Sequence, residues 1–405
     1  MGADVSTAEA ESLTPVINEF AFHFFKSVGS SQDGNIVFSP AIIATGLALL
    51  HSGSKKETAS QISRVVNFEQ FEKSDLDTAM VALRAFFFEA GHTYQFFGAS
   101  RIYSPKNIKI SKKFRKSALD SYKTVVEGHS LEDPKSSAQE MNHWVSEAMA
   151  HTVTKDVVAE NQLDHSDKLI LLNALYFKGS FAVPFHRAMT KVGKFFMSET
   201  DNYNVAMMNV KNSFPYFHDE EMKCQVVEMP YAELHYRVIL ILPDERTGLS
   251  ELESRLTVKR LQKWCRPREM EVVDIHVPRF DISQTMIANE TLHKMGIELL
   301  FDPEKADLSN IGNHLCLSKF VHYARADVKE ETAESEQPPG DVHGFVVSFK
   351  TFKADHPFLF LIQDKRKGAI AFMGRQTAPP KIDPEELKEI YKRAKSKLRA
   401  KATEN

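Results

Sequence analysis

The chain has 405 residues, 42% hydrophobic and 26% charged, with a formal net charge of -3. That composition supports a large soluble core and excludes a disordered or low-complexity chain. The near-neutral balance gives no whole-protein reason to expect nucleic acid or an anionic membrane as partner.

In chain order, Met1 to Pro15 is small, acidic and polar. It lacks the basic start and apolar stretch of a cleaved signal, so a cytoplasmic site, or an extracellular one by unconventional secretion, is expected. Ile17, Phe20, Ala21, Phe24, Phe25 and Val28 recur at helical spacing, with Thr14-Pro15 reading as cap and first turn. Ile36-Val37-Phe38 predicts a short strand. Ser39-Pro40 then opens a helix from Ala41 to His51 that is apolar on all sides and therefore buried, with Gly53 as its stop.

Residues Asn142 to Met149 lie in one helix, and Lys168 to Phe177 form a long strand buried on both faces. Asn173 interrupts that strand. A buried amide needs partners, so it marks a polar network in the core. Cys224 to Met229 alternates as a half-buried strand, and Arg237 to Leu242 reads as its hairpin neighbour. Glu271 to Phe280 is a further strand. Near the end, Ala354 to Ile362 and Phe372 to Arg375 are continuous apolar blocks of strand length.

Between these buried blocks lies chain of the opposite kind. From Lys329 to Asp341 there is no bulky apolar residue. Such a segment cannot bury enough surface to order itself, and loops of this length inside a compact domain are usually functional. A bait for a protease is the reading to test.

Cys224, Cys265 and Cys316 are sparse and far apart, which argues against a disulfide framework and against a metal knuckle. Asn289-Glu290-Thr291 is a glycosylation triplet. No run reaches the ~18 apolar residues of a membrane span. Gly-x-Ser-x-Gly, His-Glu-x-x-His and phosphate-loop motifs are missing, so no enzyme, metal or organic cofactor is expected.

Taken together the segments resemble the serpin family, at close to ovalbumin-type level, over about residues 14 to 378. The resemblance is carried by Asn35 to Pro40, Asn142-His143-Trp144-Val145, Leu172 to Gly179, Val277-Pro278-Arg279-Phe280, Lys305 to Ser309, Leu317 to His322 and Ala354 to Phe360. Two positions depart from the family pattern: Phe181 replaces the usual Trp, and Ile42 the usual second Ser.

The resemblance implies an α+β fold of three β-sheets with eight to nine helices and an exposed reactive-centre loop at about 329–348. That domain would fill residues 1–380 and act as a monomer. It implies a serine protease as partner, trapped while the cleaved loop inserts into the central sheet as a new strand. By resemblance Ser39, Asn173 and His322 lie under the sheet's opening point.

The same alignment places the scissile bond at Val346-Val347, with Phe345-Val346 or Val347-Ser348 one residue away. Phe345 suits a chymotrypsin-like pocket, and Val346 or Val347 an elastase-like one. An ordinary strand running into Ser348-Phe349 remains the alternative. The hinge is Glu330, Glu331, Thr332, Ala333, Glu334 and Ser335, with Thr332 where the family has Gly. Pro338-Pro339 follow, and each lacks an N–H that an inserted strand needs. A non-inhibitory serpin serving as a binding, carrier or chaperone-like module is therefore the rival reading.

Residues 381–405 extend past the resemblance. Asp383-Pro384-Glu385-Glu386 starts a helix with Leu387, Ile390, Tyr391, Ala394 and Leu398 as its stripe. Lys392, Arg393, Lys395, Lys397, Arg399 and Lys401 make it basic. It reads as a solvated helix docked on the body, or as a site for a glycosaminoglycan or other polyanion, with Lys112-Lys113-Arg115-Lys116 as a possible second cluster.

Overall fold

The computed structural model describes residues 2–87, 91–129, 133–153, 155–330 and 348–403. In chain order the first half comprises α1 (Gly2–Gly29), β1 (Ile36–Phe38), α2 (Pro40–Gly53), α3 (Lys56–Val66), α4 (Lys73–Phe87), β2 (Tyr94–Pro105), α5 (Lys112–Tyr122), β3 (Thr124–His129), α6 (Pro134–Ala148) and β4 (Leu169–Gly179). There follow β5 (Lys191–Phe196), β6 (Asn202–Asp219), β7 (Cys224–Pro230), β8 (Tyr236–Pro243), α7 (Leu249–Arg255), α8 (Val258–Trp264), β9 (Met270–Pro278) and β10 (Phe280–Ile287). The chain ends with α9 (Asn289–Lys294), β11 (Leu317–Val328), β12 (Lys350–Lys353), β13 (Phe358–Asp364), β14 (Ile370–Gln376) and α10 (Pro384–Thr403). Among the described residues this gives nine helices up to residue 294 and a tenth in the tail.

Three blocks of strand pairing make up the β structure. A five-stranded sheet has the order β10-β11-β4-β2-β3. A second block runs β1-β14-β13-β8-β7-β6, and a third joins β5, β9 and β12 to the same long β6, so these two form one nine-stranded surface. The continuous apolar runs end up where they must. β8, β13 and β14 are buried at every position, because each has a paired strand on both edges and covered faces.

Helix α2 is buried at every residue but His51. It lies against the five-stranded sheet at Gly46, where a Cβ would sit 2.9 Å from Leu171 Cδ2, 3.0 Å from Asn173 Nδ2 and 3.2 Å from Phe320 Cζ. Only glycine allows that approach. The core thus joins α1, α2 and both sheets in one cluster.

Several boundaries differ from the sequence reading. Helix α1 does not begin at Thr14-Pro15 but runs through Pro15. Leu13 is fully buried and extends the Ile17, Phe20, Phe24 stripe, so tertiary burial outweighs the proline's lost N–H. Strand β7 is almost wholly buried rather than half-buried. Its Glu228 is an ion-pair partner of buried Arg237 on β8, which lets a carboxylate face inward. The apolar block from Ala354 forms a strand only from Phe358. Before it, His356 bonds Asp355 at 2.9 Å and the Pro243 carbonyl at 2.8 Å, which bends the chain. The β7–β8 hairpin is antiparallel as expected.

Phe181, in place of the family's Trp, is buried and stacks on Tyr231 with ring centroids 4.7 Å apart. Asn289 of the glycosylation triplet donates to the Ser318 carbonyl at 2.7 Å and accepts from the Phe320 N–H at 2.9 Å. Its amide is thereby committed to the fold.

Candidate functional site: the seam between β4 and β11

The centre of the five-stranded sheet is a parallel pair. β11 runs alongside β4 from Leu317 opposite Leu169 to Asp327 opposite Lys178, while β2 and β10 lie antiparallel on the outer sides. Parallel pairing of this kind is slightly weaker per residue than antiparallel pairing. β11 ends at Val328 and leads directly into Glu330 and the segment 331–347. Because β4 and β11 point the same way, a chain that turns back from the end of β11 is antiparallel to both.

Beneath the seam lie the three residues expected there. The Ser39 N–H donates to His322 Nε2 at 3.0 Å, and Ser39 Oγ caps α2 by accepting from the Ile42 N–H at 3.4 Å. His322 and Asn173 are register partners across the seam, and both are fully buried. Burial pushes the His322 imidazole down to about 3, so it stays neutral, and Nε2 is the acceptor.

Asn173 does not complete the network. Both its amide atoms, and His322 Nδ1, have no hydrogen-bond partner among the described residues. The His322 acceptor is already used by the Ser39 N–H. Each unpaired buried group costs about 1–3 kcal/mol. The sequence reading, which expected Asn173 to sit in a polar network, did not anticipate this.

At the mouth of the seam the Glu330 carboxylate is buried. It accepts from Arg279 Nε at 2.8 Å, again from Arg279 Nη2, and from Thr190 Oγ1 at 3.1 Å. Burial opposes its charge, but the Arg279 hydrogen bonds and charge hold the carboxyl below its ordinary range. Glu331, Thr332, Ala333, Glu334, Ser335 and the candidate bond residues Phe345, Val346 and Val347 lie outside the described residues. Ser348 is exposed, and Phe349 is half-exposed with Lys211 Nζ 3.4 Å from its ring centre. β12 then joins β9 at the edge of the other sheet. The segment 331–347 is thus tethered to one sheet at each end.

The tail helix is docked, and Ile390 is its buried anchor. Lys392 is exposed, whereas Arg393 donates to the Arg187 carbonyl at 2.8 Å. The side chains of Lys395, Lys397, Arg399 and Lys401 lie outside the described residues. The clusters of His, Cys, Asp and Glu that hold metals were not found among the described residues, and no helix there is long and apolar enough to cross a membrane.

The family described as Serpin (serine protease inhibitor) matches residues 15–379. The chain belongs to the serpin family. The leukocyte elastase inhibitor of Homo sapiens is 30% identical over 384 residues, which cover 91% of this chain and 100% of that protein. The leukocyte elastase inhibitor of Xenopus laevis is 31% identical over 382 residues, with 91% and 100% covered. Among solved structures, uncleaved ovalbumin has a TM-score of 0.83 at 26% identity, covering 91% of this chain and 100% of its own. The highly specific Serpin48 of the insect Tenebrio molitor has a TM-score of 0.80 at 28% identity, with 91% and 98% covered.

Proposed function

We propose that this chain inhibits a serine protease by offering residues 331–347 as substrate and inserting the cleaved segment between β4 and β11. The observation that carries this is the parallel seam, continuous with the loop and lined by unpaired polar atoms. Insertion of about ten residues adds on the order of 10 kcal/mol at ~1 kcal/mol per hydrogen bond. It also gives the Asn173 amide new neighbours. The state before cleavage is then held kinetically.

The bond we assign is Val346-Val347, with Phe345-Val346 and Val347-Ser348 as the neighbouring choices. Relatives named leukocyte elastase inhibitor support an elastase-like target, and Phe345 extends the range to chymotrypsin-like enzymes. Pro338 and Pro339 each remove a ladder N–H at ~1–3 kcal/mol. That leaves insertion favourable but slower, so a raised share of the inhibitor is consumed as cleaved product. Ser39, Asn173 and His322 act in this scheme as the latch beneath the seam. The basic residues of α10, from Lys392 to Lys401, are a candidate glycosaminoglycan surface.

Mixing the protein with elastase and with chymotrypsin tests the reading. An SDS-stable complex is expected, and sequencing the new amino terminus locates the bond. Clean cleavage with no complex would instead favour a binding or carrier serpin, for which Thr332 and the two prolines are the motivating residues.

A further inference from the structure

Residues beyond 379 lie outside the span matched to the family, yet α10 is built into the mouth of the seam. Arg279, between β9 and β10, holds Glu330 with one part of its guanidinium. With Nη1 it holds Glu386 of α10, at 2.8 and 2.9 Å from the two carboxylate oxygens. One turn on, Glu389 pairs with Arg187 at 3.5 Å, and Arg393 donates to the Arg187 carbonyl at 2.8 Å. Arg187 begins the short turn that leads to Thr190, the second partner of Glu330.

Glu386, Glu389, Ile390 and Arg393 fall at i, i+3, i+4 and i+7, so they share one helix face. The approach to α10 is also fixed: Tyr203 Oη donates to the Pro379 carbonyl at 2.6 Å, and the Ile382 N–H donates to the Asn204 carbonyl at 3.2 Å. The Arg279–Glu386 pair is partly buried and is screened less by salt than the exposed Arg187–Glu389 pair, which contributes little.

We propose that α10 is a strap across the mouth of the β4–β11 seam, with Glu386 the positioning residue that couples it to the loop hinge. This rests on the insertion reading above. A strand enters only if β4 and β11 part. Glu330, just past the end of β11, is tied by Arg279 and Thr190 to one corner of the nine-stranded surface, where Lys191 of β5 and Pro278 of β9 both pair with Met207 of β6. Helix α10 grips the same corner through Arg279 and Arg187, so it holds the end of β11 against that surface. It therefore opposes opening from outside the sheet, and removing it speeds insertion.

The test uses the full chain, a chain ending at Pro380, Glu386→Ala and Glu386→Asp. Each carries Ser335→Cys labelled with an environment-sensitive dye and is mixed with excess elastase. Dye burial is followed by stopped flow, and the thermal midpoint is read before and after nicking. Truncation and Glu386→Ala are expected to insert about tenfold faster, the factor given by ~1.4 kcal/mol in a barrier. Glu386→Asp, which keeps the charge, is expected near the parent rate. If all chains insert at one rate, or if Glu386→Asp matches Glu386→Ala, the strap is overturned while insertion stands. If no chain gains thermal stability on nicking, insertion and strap both fall. Glu386→Ala keeps the test valid should the truncated chain fold poorly.

Discussion

His322→Phe offers a direct reading of the latch beneath the seam. His322 is fully buried, and burial drives its proton affinity from the ordinary 6.5 down to about 3. The folded chain refuses a proton that the unfolded chain accepts. Stability from this group is thus complete above pH 6.5 and is lost as pH falls from 6.5 toward 3. At pH 5 the difference amounts to about 2 kcal/mol at 1.36 kcal/mol per pH unit. Phe has no such proton to exclude. Urea unfolding of parent and variant at pH 7.5 and pH 5 isolates the effect, since every other titrating group is common to both. The parent is expected to lose about 2 kcal/mol more than His322→Phe across that interval. Parallel pH profiles would refute a neutral, buried His322.

Further outcomes follow from the same geometry. Gly46→Ala places a Cβ within 3.0 Å of both Leu171 and Asn173; overpacking of this kind costs ~1–3 kcal/mol, offset by up to ~1 kcal/mol of helix propensity. A lowered urea midpoint is expected, and an unchanged one would mean α2 does not bear on the seam. Arg237→Met leaves the Glu228 carboxylate buried with only Lys365, 3.2 Å away, as counter-ion. Losing such a partner costs ~3–5 kcal/mol, read as a fall in the unfolding midpoint, whereas the double variant with Glu228→Leu recovers much of it. Burial pushes the Cys224 thiol up to about 12 and the Cys265 thiol up to about 11. Cys224, which is fully buried, is not expected to react with iodoacetamide at pH 8 until the chain is unfolded, while half-buried Cys265 is expected to react slowly; fast labelling of Cys224 in the native protein would contradict that burial.

Much of the fold was legible because burial writes itself into local composition. The long apolar runs of β4, β13 and β14 and the largely apolar α2 could be read without neighbours. Strand β6 could not: Asn202–Asp219 mixes polar and apolar residues as it passes from one block of pairing to another, so no single period persists. The extension of α1 through Pro15 was hidden by a strong local stop signal that packing of Leu13 overrides. At the site, Ser39 and His322 were placed by resemblance and do meet, but that the Asn173 amide finds no partner among the described residues depends on the tertiary arrangement around it. The shared grip of Arg279 on Glu330 and Glu386 joins residues 51 and 107 positions away. Only the face formed by Glu386, Glu389, Ile390 and Arg393 was open to inspection in advance, and the apolar stripe shares just Ile390 with it.

The account depends most on the thermal midpoint of the protein before and after a single cut within residues 331–347. Insertion predicts that the nicked form melts well above the intact one and becomes resistant to further cleavage in that segment. Identical midpoints, with the segment still open to proteolysis, would contradict it.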